Sequence, residues 1–179
     1  MNKPRFTILQ QEILRYLFMK SGMTFNARSL AKPLKVSPTA ISKSLKGLEG
    51  EGLIIVTKDR ESKRLSIELD KNNPKVFMLK RVENLRFIYD SGIVEYLSDN
   101  FPEATIVLFG SYSFGEDTIT SDIDIAIIGS KERGVNLAKF DKIFERQISI
   151  YFCKNLDEVN KNLRENIVSG IVLKGGIQL

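Results

Sequence analysis

The stretch Asp122-Ile123-Asp124-Ile125-Ala126-Ile127-Ile128 constrains this chain more than any other. Read as a strand, its period-2 geometry puts Asp122 and Asp124 on one face and Ile123, Ile125 and Ile127 on the other. Two carboxylates about 7 Å apart on one side of an otherwise apolar strand are costly to bury unless positive charge sits beside them. No lysine or arginine nearby in the sequence is placed to supply it. A hard, oxygen-seeking cation would, and Mg2+ keeps several waters and takes its remaining ligands from substrate phosphates. The alternative is a pair of carboxylates at a strand end, turned to water.

The residues upstream weigh against that alternative. Thr105-Ile106-Val107-Leu108-Phe109 is the continuous apolar run of a strand covered on both faces, and it ends in Gly110-Ser111 before a short helical turn. Small residues at such a junction let backbone N–H groups approach phosphate oxygens, and a helix start adds favourable partial charge. Gly-Ser alone occurs in many ordinary turns; beside the paired carboxylates it points to a phosphate. The chain has no histidine, which removes His-based triads, His–Cys zinc sites and His general bases together. Catalysis here must use carboxylates, hydroxyls, lysine or an oxygen-held metal.

Gly110-Ser111, ten residues, then Asp-x-Asp resembles the signature of the DNA-polymerase-beta-like nucleotidyltransferase superfamily, and most of all its minimal members, the MNT proteins of archaea and bacteria. The likeness covers roughly residues 93–175, with Gly115 and Ser121 also in family positions and a C-terminal helix ending in Ile167-Val168-Ser169-Gly170-Ile171-Val172-Leu173. The resemblance implies that Gly110, Ser111 and Ser121 bind the nucleotide. It makes Asp122 and Asp124 the catalytic residues and the ligands of two metals, Mg2+ or Mn2+. The substrate it implies is a nucleoside triphosphate, ATP by expectation, whose monophosphate passes to a protein or small-molecule hydroxyl with release of pyrophosphate. A HEPN-type toxin protein is the minimal family's habitual acceptor.

Two residues depart from the pattern. The next strand, Gln147-Ile148-Ser149-Ile150-Tyr151-Phe152, has Ser149 where the family usually carries a third carboxylate. Glu145 lies too far back to replace it, about 13 Å along an extended chain. Phe114 stands where many members have arginine or another polar residue. Three readings follow: an active transferase, a catalytically weak nucleotide sensor that biases DNA binding, and an antitoxin or interaction module that has lost nucleotide.

The front of the chain follows another pattern. Phe6–Lys20 carries Ile13, Leu14, Leu17 and Phe18 at helical spacing, with Ile8 or Leu9 before them, and Thr24–Leu34 reads as a shorter helix. Ser37 caps a third helix with Pro38 at its first position, and Ile41, Leu45 and Leu48 form its apolar stripe up to Gly50 and Gly52. Leu53–Lys58 and Arg64–Leu69 read as a hairpin around the polar tip 59–63. Residues 5–70 resemble a winged helix-turn-helix of the MarR-like or archaeal regulator type, in Ser29-Leu30-Ala31-Lys32, Val36-Ser37-Pro38-Thr39-Ala40-Ile41-Ser42 and Gly52-Leu53-Ile54 above all. By that resemblance Thr39, Ser42, Lys43 and Lys46, which lie off the apolar stripe, enter the major groove of double-stranded DNA. Arg60, Lys63 and Arg64 at the wing meet phosphates. A winged helix used only for protein contact is the alternative.

Charge divides the same way. Residues 1–73 hold 14 Lys/Arg against 7 Asp/Glu and residues 74–179 hold 13 against 15, so the front half suits a polyanion better than the back half does. The expected fold class is α/β (α+β): a winged helix-turn-helix over 1–72, a helical connector and dimerisation element over 73–90 opened by Asn73-Pro74, and a nucleotidyltransferase domain with a small mixed sheet flanked by helices over 91–179. A homodimer is compatible with that connector. No apolar run approaches the ~20 residues needed to cross a bilayer, so a cytoplasmic protein without membrane contact is expected. Cys153, the single cysteine, follows a strand with no basic or histidine neighbour suited to thiolate activation and reads as a packing residue. Tyr112 could stack on a base or pack, and Lys174-Gly175-Gly176 could reach a phosphate but reads rather as a solvated tail.

Overall fold

The computed structural model describes residues 6–59 and 64–177, and these form two compact units, Met1–Lys80 and Arg81–Leu179. In the first, α1 (Ile8–Met19), α2 (Ala27–Ala31) and α3 (Pro38–Gly50) precede an antiparallel hairpin of β1 (Ile54–Lys58) and β2 (Leu65–Leu69). Each helix starts on a side-chain cap. Thr7 and Gln10 make a capping box for α1, Asn26 and Ser29 do so for α2, and the Ser37 hydroxyl accepts the Ala40 N–H at 3.1 Å for α3. The stripes expected from periodicity meet in one core, where Ile13, Leu17, Leu30, Ile41, Leu48, Leu53 and Ile67 are at most 1% exposed.

The second helix is shorter than Thr24–Leu34. Phe25 is drawn out of it into an isolated antiparallel bridge with Ile67 of β2, exchanging both backbone hydrogen bonds at 2.9 and 2.7 Å. Asn26 then caps what remains. Of the alternatives at the start of α1, Leu9 packs on the core and Ile8 is exposed.

The long helix α4 (Pro74–Asp90) opens with Asn73 Oδ1 accepting the Lys75 N–H at 3.0 Å. Its first turns place Val76 and Leu79 in the first core, and its last turns place Phe87 and Ile88 in the second unit's core. The division between units at Lys80/Arg81 therefore falls inside the stretch 73–90.

The second unit continues with α5 (Ile93–Asn100), β3 (Thr105–Phe109), α6 (Gly110–Phe114), β4 (Ile123–Ile128), α7 (Ala138–Phe144), β5 (Ile148–Cys153), a 3-10 turn at Leu156–Glu158, α8 (Lys161–Val168) and β6 (Ile171–Lys174). The sheet order is β5-β4-β3-β6, with β3 antiparallel to both neighbours and β4 parallel to β5 across the α7 connection. Ile106, Leu108, Ile123, Ile125 and Ile127 pack on α5 and α7, while Val107, Phe109 and Ala126 pack on Leu156 and Ile167. Both faces of β3 and β4 are thus covered, as their apolar runs require.

One expectation needs correction. The C-terminal helix ends at Val168, and Ile171–Lys174 is not its continuation but the edge strand β6, paired with β3. Gly170 makes the change possible: a β-carbon there would fall 2.4 Å from the Leu108 carbonyl oxygen, so only glycine lets the chain turn this close to β3. Among the described residues no helix is long and apolar enough to cross a membrane.

Candidate active site

The site lies at one end of the sheet, where β3 finishes and β4 and β5 begin. Register places Asp124 between Phe109 on β3 and Ser149 on β5. Gly110 follows Phe109 with φ 71°, and a β-carbon on it would lie 2.4 Å from Asp124 Oδ2. The Asp124 carboxylate therefore rests against Gly110, and the positive φ there favours glycine as well. This contact joins the two halves of the Gly-Ser and Asp-x-Asp pattern in space.

Asp122 is exposed just ahead of β4, and the Ile123 N–H donates to the Gln147 carbonyl at 2.9 Å, which ties this segment to the start of β5. Ser149 Oγ lies 3.5 Å from Asp122 Oδ2, at the outer edge of a hydrogen bond, so Ser149 stands beside the pair as strand alternation required. Among the described residues no third acidic side chain joins them. Burial, and then the neighbouring Asp122 charge, push the Asp124 carboxyl above its ordinary range. A half-buried carboxylate beside an exposed one is a donor set that fits a hard divalent cation completed by water and phosphate.

Ser111 is half-buried in the first turn of α6, and its carbonyl accepts the Gly115 and Glu116 N–H groups. The Ser121 hydroxyl accepts the Thr118 N–H at 3.0 Å, and its own N–H returns to the Thr118 carbonyl at 3.0 Å. Ser121 thus shapes the turn that delivers Asp122.

Behind the carboxylates lies a polar cluster that sequence reasoning did not find. Asp117 and Arg146 form an ion pair with both side chains at most 3% exposed. The Asn84 amide donates to Asp117 Oδ1 at 2.7 Å and to the Tyr112 carbonyl at 2.9 Å. The Arg146 guanidinium sits 5.4 Å from the Tyr112 ring centroid, and that ring meets Phe144 edge-on. Asp117 and Arg146 are 29 residues apart, and no spacing rule marks them as partners.

The remaining candidates resolve into structure. Tyr112 is buried, and burial followed by the Asp117 charge raises its phenol far above the usual value, so it packs and does not stack on a base. Cys153 is buried and its thiol is pushed up by burial and then by Glu158, which makes it a poor nucleophile. Lys174 Nζ donates to the Pro102 and Phe101 carbonyls at 2.6 and 3.2 Å and belongs to the fold, not to a solvated tail. Phe114 lies under the Arg81 guanidinium, 5.8 Å from its ring centroid.

On the first unit, Thr39, Lys43 and Lys46 are exposed along α3. Ser42 is half-buried, and its hydroxyl donates to the Pro38 carbonyl at 3.0 Å. Arg64 is exposed at the start of β2; Arg60 and Lys63 lie outside the described residues. An open groove runs between Asn26, Arg28 and Ser29 of α2, Pro38 and Ser42 of α3, and Arg64 and Leu65 of the wing. Arg28 is the cation in it that the sequence reading passed over; its position on the short α2, beside the wing, is visible only once Phe25 has paired with Ile67.

One unit thus carries a pair of carboxylates beside a glycine turn at the end of a mixed sheet, and the other carries three helices and a hairpin. Residues 91–173 match the family model for the nucleotidyltransferase domain and residues 6–66 match that of the MarR family, so the chain carries one domain of each. Among solved structures it is similar to the adhesin competence repressor AdcR from Streptococcus pyogenes, at 22% identity over 54% of this chain and 68% of that one, TM-score 0.41. It is also similar to a MepR mutant from a multidrug-resistant S. aureus clinical isolate, at 25% identity over 42% of this chain and 55% of that one, TM-score 0.36. An S. aureus MepR–DNA complex matches at 25% identity over 55% of this chain and 77% of that one, TM-score 0.38. No curated protein matches at a significant level.

Proposed function

We propose that the second unit binds a nucleoside triphosphate, ATP by preference, together with Mg2+ or Mn2+, and transfers its monophosphate to a hydroxyl acceptor, while the first unit binds duplex DNA. The observation that carries this reading is the packing of the Asp124 carboxylate against Gly110, which sets the Gly-Ser turn beside the acidic pair. Asp122 and Asp124 would hold the cation. When bound, the metal would neutralise phosphate charge and make the acceptor hydroxyl more acidic. The chain's own contribution is placement: Gly110 and Ser111 keep the triphosphate at the end of β3. In-line displacement would require the entering hydroxyl to stand opposite the departing pyrophosphate. The acceptor this reading favours is a protein hydroxyl, with a HEPN-type partner as the first to try, and a homodimer is the assembly we propose.

Ser149 favours a second reading. A hydroxyl brings no negative charge to the metal that activates the nucleophile, so nucleotide could bind with little turnover, and the protein would be a nucleotide-responsive DNA-binding regulator. Incubation with α-labelled ATP and Mg2+ or Mn2+, alone and with the product of the neighbouring gene, separates the two. Label on an acceptor is expected for the transferase. Bound nucleotide without transfer establishes the sensor, and no binding at all removes both.

DNA binding has its own test. Affinity for duplex DNA should fall linearly with log salt, and Lys43→Ala with Lys46→Ala should reduce that slope by about 2. Binding that ignores salt, or none to any duplex, would leave the winged helix as a protein-contact module.

A further inference from the structure

Three segments build the acidic site: the α6 turn with Ser111, the loop that delivers Asp122, and the start of β5 with Ser149. The buried cluster touches each of them. Asp117 lies five residues before Asp122, Arg146 three before Ser149, and Tyr112 directly after Ser111. The Arg146 N–H donates to the Asp141 carbonyl at 3.1 Å, and the Ile148 N–H donates to Asp141 Oδ1 at 3.0 Å, so the approach to β5 is held at both its ends. The Asp117–Arg146 pair then bridges this approach to the Asp122 loop, and Asn84 bridges that loop to the Tyr112 carbonyl.

We propose that Arg146 is a positioning residue for the cation site, acting through Asp117 to fix Asp122 and Ser149 relative to the Gly-Ser turn. This rests on the reading of Asp122 and Asp124 as metal ligands. The physical reason is the burial of the pair. Separating the two charges in the interior is costly, so the pair ties the two segments to one another. A surface pair with the same partners would impose no such constraint. Neither Arg146 nor Asp117 is among the residues read as metal ligands, so their effect would reach the site through the main chain of the Asp122 loop and of β5.

Removing one member of a buried ion pair endangers folding, so the test changes both. Mn2+ binding is measured by titration calorimetry on the full chain and on the Asp117→Asn, Arg146→Met double variant, well below the Tm of each. The expected result is cooperative unfolding retained and a Mn2+ Kd about tenfold or more weaker, as for loss of the groups that orient metal ligands. Arg146→Lys keeps a cation beside Asp117 without the planar fork, and should weaken Mn2+ by about threefold while folding normally. A purely structural role would lower Tm and leave Kd alone. Unchanged Mn2+ affinity in Arg146→Lys and in a folded double variant overturns the proposal. If the double variant does not fold, unchanged affinity in Arg146→Lys overturns it by itself. Absence of Mn2+ binding by the unaltered chain overturns the metal-site reading first, and this inference with it.

Discussion

Replacing Asp122 and Asp124 together with asparagine should abolish metal-dependent nucleotide binding and, in the absence of metal, make the folded protein more stable. The first effect should exceed about 100-fold in Kd, because even the residues that merely orient metal ligands are worth roughly 10–100-fold. The second follows from the titration of Asp124, whose carboxyl is raised by burial and by Asp122. The folded chain holds that proton more tightly than the unfolded chain does. Stability from this group is therefore complete below the unfolded value of about 3.9 and is lost as pH rises through the higher folded value. Asparagine removes the loss. Asp124 is partly open to solvent, which screens the pair, so the gain in Tm at neutral pH should be only about 1–3 °C. Calorimetric binding of Mg–ATP and thermal melts in EDTA across pH 4–8 give both numbers. Undiminished nucleotide binding in the double variant would sink the site assignment.

Ser149→Asp should act in the opposite sense. Ser149 pairs in register with Asp124, and its hydroxyl lies 3.5 Å from Asp122 Oδ2, so an aspartate there would set a third carboxylate beside the first two. Without metal it adds like-charge repulsion and should lower Tm. With Mn2+ it supplies a charged ligand and should tighten binding about tenfold or more, reversing the Tm difference. If label transfer from ATP is slow because the nucleophile's metal is poorly held, this variant should accelerate it. A variant whose Mn2+ affinity stays at the wild-type level would show that position 149 does not face the cation.

What could be read in advance was what periodicity and local chemistry dictate. The Ile41, Leu45, Leu48 stripe behind Ser37-Pro38 and the alternation of Asp122-Ile123-Asp124 both follow from geometry within one element, and the packed structure honours them. What was missed depends on partners distant in sequence. Phe25 leaves its expected helix because Ile67, 42 residues on, offers a backbone pair. Ile171–Lys174 becomes a strand because Gly170 can touch the Leu108 carbonyl, a contact no local propensity records. Arg146 and Asp117 look like solvated charges until the fold encloses them. At the site, Ser149 was legible because strand alternation numbers the residues that can face the carboxylates; the clamp behind it was not.

The course of α4 bears on how this chain can be taken apart. A fragment stopping at Asn73 would strip Val76 and Leu79 from the first core, and one starting at Ser91 would strip Phe87, Ile88 and the Asn84 amide from the second. The seam that spares both lies between Lys80 and Arg81, in mid-helix. Insertions and permutations are tolerated mostly at exposed loops, and here a loop cut damages one unit or the other. The two modules are in that sense spliced and not strung together, and swapping either for a homologue requires grafting a helix turn by turn.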